Sequence, residues 1–205
     1  MLSKQAKTPP VRFFVYTSLM IITTEKDGRP RRYRIAPYGG YADASIAALI
    51  AALEELTARV YDQIEDLPPE VLAFVPPNSY LSIGLLALHM ADGECGWMRS
   101  LHAIDLPSRL ETTLAYGKIR TEGPATPKEV LEAETLIEIW TAVRERVTLP
   151  IARHVANADE TYATGRALTT PRDILHHLLW HTTYHSGQIG SIRLEAGHEY
   201  TWTFE

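Results

Sequence analysis

The sequence predicts a mainly α protein, a four-helix bundle with an N-terminal β-hairpin extension. Two extended runs meet around Asp27-Gly28 near the start, four later stretches repeat apolar residues every three or four positions, and prolines and glycines punctuate those stretches. At 205 residues, 45% hydrophobic and 22% charged, the chain is long enough to bury one core without disulfide staples. The organisation expected is an extension over residues 1–40 and a bundle over 41–205. No internal repeat or low-complexity tract is visible.

In the opening segment, "VRFFVYTSLMIITT" and "RRYRIA" flank "EKDGRP", whose Asp-Gly supplies the positive-φ position of a tight hairpin turn. The apolar run has about the length of a signal peptide, but Arg12 and two prolines crowd it and no small-residue cleavage site follows. It therefore reads as a strand. From Ala42 the period changes: Ile46, Leu49, Ile50, Leu53, Leu56, Val60 and Ile64 mark the first amphipathic helix, stopped by Pro68-Pro69.

The second helix is expected from about Ser79 to Leu101, opened by the Pro76-Pro77-Asn78 loop and carrying Leu81, Leu85, Leu88 and His89. A long polar connection follows. The third starts near Pro127, with Leu136, Trp140, Val143 and Val147 on one stripe and Pro150 to kink or end it. For the fourth, Thr170 is the cap, Pro171 the first helical residue, Asp173 a complement to the helix dipole, and Gly197 the left-handed stop.

The formal charge of −5 argues against a nucleic-acid backbone as partner, and the one basic cluster, "GRPRRYR" at residues 28–34, reads as the solvated side of a hairpin. No stretch approaches the ~20 apolar residues of a membrane span. Cys95 is the only cysteine, which excludes an intrachain disulfide or a Cys-rich zinc site and fits a reducing, cytoplasmic setting.

The fourth helix places four of the eight histidines between His176 and His185. Histidine is a mediocre helix former and uncommon in cores, so such density calls for a chemical reason, of which metal ligation is the first. Residues four apart share a helix face, and both His177–His181 and His181–His185 meet that condition. The outer two are separated by roughly 12 Å of rise, so all three do not serve one ion. His176 points about 100° away from His177, to the surface.

A third ligand must come from another helix. His89, on the apolar stripe of the second, is the candidate, because an unpartnered imidazole there is costly. Cys95 lies about 240° around that helix from His89 and does not join. Thr182 stands where the general base of an HExxH peptidase would be, and no Gly-rich phosphate loop or nucleophile elbow is present. Asp92, one turn after His89, is positioned to orient that imidazole through its other nitrogen. Gln188 is a candidate catalytic contact to a metal-bound water or to substrate. Trp97 and Tyr184 read as core aromatics, and His102, His154 and His198 receive no role.

"LLALHMADGECGW", followed about ninety residues later by "HTTYHSGQIG", resembles the DinB/YfiT-like superfamily. That group includes bacillithiol S-transferases and mycothiol-dependent maleylpyruvate isomerases. The likeness covers roughly residues 42–197. It implies an up-down-down-up bundle with a long crossover, and His89, His181 and His185 as ligands of one divalent metal ion. Ser186 stands where the family commonly has Arg, and residues 1–40 have no counterpart in the pattern.

Three neutral imidazoles leave an open coordination position, as in catalytic rather than structural zinc. Imidazole suits zinc, copper, iron and nickel alike, and of these zinc or nickel is expected. The resemblance implies a divalent-metal-dependent transferase that activates a low-molecular-weight thiol, as cosubstrate, toward a small-molecule electrophile. The alternatives are a hydrolase of the same fold, with water in the same position, or a non-catalytic metal-binding stress protein. A homodimer, no nucleic-acid partner and no membrane association complete the expectation.

Overall fold

The computed structural model describes residues 13–16, 19–26, 29–32, 39–77, 79–117, 131–163 and 168–200, and the protein is mainly helical. Near the start, strands β1 (Phe13–Tyr16), β2 (Leu19–Lys26) and β3 (Arg29–Arg32) pair antiparallel in sequence order. The single hairpin expected here is therefore corrected. The polar pair Thr17-Ser18 divides the long apolar run, and Phe13–Tyr16 folds back onto the first half of β2, with Tyr16 opposite Leu19. Lys26 stands opposite Arg29, leaving the Asp27-Gly28 pair, outside the described residues, as the connection.

Helix α1 (Ala44–Ile64) starts where Asp43 takes the exposed N–H groups of Ser45 and Ile46 at 2.7 and 3.3 Å. The second carboxylate oxygen of Asp43 accepts from the Ala158 N–H at 2.9 Å, which ties the start of this helix to the approach of the last one. Just after the Pro68-Pro69 stop, Pro69 opens a single further turn, α2 (Pro69–Leu72). Helix α3 (Ile83–Arg99) begins later than the Ser79 expected, because Ser82 is the residue whose hydroxyl accepts from Leu85 N–H. Its apolar stripe is buried as the periodicity requires, with Leu85, Leu86 and Leu88 all inside.

The polar connection contains a further helix, α4 (Ser108–Leu114), continued by one 3₁₀ turn at Ala115–Gly117. The third long helix is described from α5 (Ala133–Val143); the expected start near Pro127 lies outside the described residues. It runs on through a π-helical turn, Arg144–Thr148, into α6 (Leu149–His154). Pro150 does not end it there. Leu149 N–H bonds to Arg144 O, five residues back, and in that wider turn a proline without a donor enters at the start of the next α-helical segment. A two-residue-per-strand hairpin, β4 (Tyr162–Ala163) with β5 (Leu168–Thr169), leads to the last helix.

Helix α7 (Pro171–Glu195) has the boundaries its sequence declares. Thr170 and Asp173 form a reciprocal capping box, and Gly197, at φ +78°, closes the far end. There His198 N–H bonds to Arg193 O at 2.8 Å and Gly197 N–H to Leu194 O at 3.0 Å, a Schellman motif. α1 packs along α7, and α3 packs on both α5 and α7. Trp140, Leu86, Met90, Met98, Ile50 and Leu178 fill the space between them. No helix among the described residues is long and apolar enough to cross a membrane.

One charged cluster is buried in this core. Glu94 on α3 accepts from Trp140 Nε1 at 2.8 Å and from Arg144 Nε at 2.6 Å, and Thr148 donates to it as well. Arg144 also reaches Glu54 and, at 2.7 Å, Thr57 on α1. Burial alone would raise the Glu94 carboxyl, but the guanidinium and the three donors outweigh it and hold it below the usual carboxylate range.

Candidate metal centre

α3 and α7 lie side by side and run antiparallel, so their facing residues form rungs. Trp97 meets His177 with ring centroids 4.8 Å apart, Gly93 faces His181, and His89 meets His185 at 4.9 Å. The middle rung works because Gly93 has no side chain: a Cβ there would sit 3.1 Å from His181 Cε1. His181 can therefore lean across α3 toward His89, and their Nε2 atoms come within 3.0 Å.

His89, His181 and His185 thus bring one ring nitrogen each into a group whose atoms all lie within 4.8 Å of one another. His177, one turn further along α7, stays outside that group. It stacks on His181 at 5.7 Å and contacts Trp97 instead. The spacing along α7 left the choice between His177 and His185 open; the crossing with α3 places His185 beside His89.

Two of the three imidazoles are oriented from behind. His89 Nδ1 is 3.0 Å from the carbonyl of Gly117, and His185 Nδ1 is 2.6 Å from the amide oxygen of Gln188. A carbonyl oxygen only accepts, so both rings carry their proton on Nδ1 and present Nε2 as a bare lone pair. Outward hydrogen bonds of this kind fix the tautomer and raise the donor strength of a ligating histidine. Burial is the main influence on all three rings and lowers their pKa values, His181 to about 3 with help from the neighbouring imidazoles. The rings are neutral at pH 7. Nitrogens bound to a tetrahedral zinc at about 2.0–2.1 Å stand about 3.4 Å apart, so this donor set fits a divalent cation with little adjustment.

Other expected roles are redistributed. Asp92 was expected to take the second nitrogen of His89, but Gly117 O occupies that place. Asp92 acts on His89 through charge, favouring its protonated form. Gln188 was expected to touch water or substrate; its amide oxygen lies 2.6 Å from His185 Nδ1. Ser186 faces α1, where its hydroxyl accepts from Gln63 Nε2 at 2.7 Å. Trp97 and Tyr184, expected in the core, are 39% and 53% exposed, because they lie on the outer flank of the α3–α7 seam.

Gly117, like Gly93, is a residue of the site that reading the sequence missed. A Cβ on it would fall 2.4 Å from Leu88 O and 2.8 Å from His89 N, so only glycine lets this turn press against α3 with its carbonyl toward His89. Its sole signal was a glycine inside a connection that looked featureless.

The fold and site define a class: a helical protein with three imidazoles converging from two antiparallel helices, two of them backed by carbonyl acceptors. Among known families, the model of the mycothiol S-transferases matches residues 48–196, and the chain belongs to that family, within the DinB/YfiT-like superfamily. No curated protein matches the sequence.

Proposed function

We propose that this protein joins a low-molecular-weight thiol to a small electrophile, at one divalent metal ion held by His89, His181 and His185. The observation that carries this reading is the convergence of three ring nitrogens within 4.8 Å, two of them on rings oriented from behind, in a chain whose family is named for thiol transfer. A divalent cation bound there, zinc or nickel, supplies positive charge that favours a thiolate over a thiol at neutral pH.

The chain's own residues do the rest. Gly117 and Gln188 keep two lone pairs aimed inward, and Gly93 gives His181 room to join them. Burial keeps the rings unprotonated, so their donors stay available at pH 7. His89, His181 and His185 would hold such a cation with three protein donors, a number typical of sites that also take an exogenous ligand.

We read α1, α3, the α5–α6 helix and α7 as an up-down-down-up four-helix bundle. Residues 41–205 are the catalytic unit and 1–40 an extension, a division that agrees with the family match beginning at residue 48. The same reading expects a cytoplasmic homodimer without nucleic-acid affinity.

The test is transfer of mycothiol to a soluble electrophile by tag-free protein of known metal content. Activity is expected to require added zinc or nickel, to disappear with chelator, and to fall at least a hundredfold in His89→Ala, His181→Ala or His185→Ala. His177→Ala is expected to keep its metal. Metal loss in His177→Ala with retention in His185→Ala would overturn the ligand set. Hydrolysis without any thiol would replace transfer with the hydrolase reading.

A further inference from the structure

Between α4 and the third long helix lies a cavity of about 670 Å³ that shares no residue with the three imidazoles. One wall is the face of α4 and its following turn that carries Leu110 and Tyr116; the other carries Leu131, just before α5, and Ile139 and Ala142 within it. All five are only partly buried, so the two faces stop short of closing on each other. The volume lies in the range of small-molecule sites, which pair an apolar floor with a few polar groups.

The charged residues of the cavity are sorted by end. α4 with its turn runs antiparallel to α3, since Gly117 lies against Leu88 and Glu111 pairs with Arg99. α5 runs parallel to α3, since Leu136 meets Gly84 and Arg144 meets Glu94. Arg109 near the start of α4 and Arg146 just beyond α5 therefore stand at the same end of the cavity, toward the last turn of α3. Glu138 precedes Arg146 on the helix by roughly 12 Å of rise, toward the other end. Among the described residues, neither guanidinium makes a hydrogen bond or an ion pair.

We propose that this cavity is a second ligand site, for a small organic monoanion whose apolar body lies on the five partly buried side chains and whose carboxylate meets Arg109 and Arg146. An anion there offsets two like charges and takes charge-assisted hydrogen bonds from guanidinium forks suited to carboxylate. Glu138 limits the ligand to one charge, because a second carboxylate at the far end of the body would face it. An inorganic anion leaves the apolar floor unfilled, and so does an acidic side chain of a protein partner. The site stands apart from the transferase reading and does not require it.

The experiment uses probes that separate charge from body. Titration calorimetry of the tag-free, zinc-loaded protein with octanoate is expected to show saturable binding. Acetate, with the charge alone, and 1-octanol, with the body alone, are each expected to bind about tenfold more weakly. Arg109→Gln and Arg146→Gln change exposed side chains and are expected to weaken octanoate about tenfold while leaving octanol within about twofold. Leu110→Ser weakens both. Suberate, which adds a carboxylate at the far end, is expected to bind more weakly than octanoate, with Glu138→Gln narrowing the gap. His89→Ala is expected to bind octanoate as the wild type does.

No saturable octanoate binding by the wild type, or equal binding by both Arg→Gln variants, overturns the site. Acetate binding as tightly as octanoate also overturns it and hands the arginines to an acidic side chain of a partner. Loss of octanoate binding in His89→Ala overturns it too, by placing the anion at the imidazoles. Octanoate binding that depends on Arg146, in a protein that transfers no thiol, sinks the transferase reading and leaves this site standing.

Discussion

Gly117 is the smallest residue with the largest expected effect. Its carbonyl holds His89 Nδ1 at 3.0 Å, and a methyl group on it would collide with the α3 backbone, which cannot yield as a side chain can. Gly117→Ala is expected to cost about 1–3 kcal/mol of stability by overpacking and to weaken metal binding about 10–100-fold through lost orientation of His89. Urea unfolding and competition with a chromophoric chelator measure the two effects; unchanged metal affinity would show that His89 needs no backing. Gly93→Ala is milder, because a Cβ there presses only on the edge of the His181 ring at 3.1 Å. The expected outcome is a stable protein whose cobalt-substituted visible spectrum shifts as His181 is displaced. These two glycines also mark what the sequence hid. The donors of the cluster were legible, since imidazoles one turn apart and a polar residue on an apolar stripe stand out as types. Gly117 and Gly93 act through a backbone carbonyl and an empty space, which no residue type announces.

The π-helical turn at Arg144–Thr148 shows the same limit over a longer stretch. The stripe Leu136, Trp140, Val143 and Val147 was legible and all four are buried, but the wider turn is not encoded in hydrophobic period. It is seen to put Arg144 and Thr148 both onto Glu94, with Trp140 donating from the preceding turn. Breaking a buried pair strands the partner charge, so Glu94→Gln is expected to destabilise by about 3 kcal/mol, the low end for such pairs because Glu54 remains with Arg144. Urea denaturation measures it, and metal content of the folded protein is expected to be unchanged, since the cluster makes no contact with the three imidazoles. A change below about 0.5 kcal/mol, the scale of an ordinary surface substitution, would mean that Arg144 is satisfied without Glu94. Elements with strong termini were the readable ones. α7 follows its capping box and Gly197 to the residue, whereas the four-residue α2 and seven-residue α4 are too short for periodicity to register.

Across the molecule, burial of imidazoles makes stability depend on acid in two separable steps. His89, His177, His181 and His185 all have lowered pKa values, burial being the first cause in each and His181 falling to about 3. The unfolded chain titrates its histidines near 6.5, so between about pH 6.5 and 3 it binds protons that the native state refuses. The stabilisation is fully present above pH 6.5 and drains away as pH falls below it. Glu94 works in a lower window: its contribution is present above its ordinary value of 4.5 and is lost at more acidic pH. Metal-free protein is therefore expected to lose stability from about pH 6.5 downward, well before its carboxylates titrate. His181→Gln should flatten that upper slope and leave the lower one, while Glu94→Gln should do the reverse. Bound zinc makes the upper slope steeper, because protons and metal compete for the same lone pairs and binding weakens below about pH 6. Urea midpoints from pH 8 to 4, with and without zinc, measure all of this. A flat profile from pH 7 to 5 in the metal-free protein would mean that the rings accept protons in place, and that burial does not hold the three donors ready for a cation.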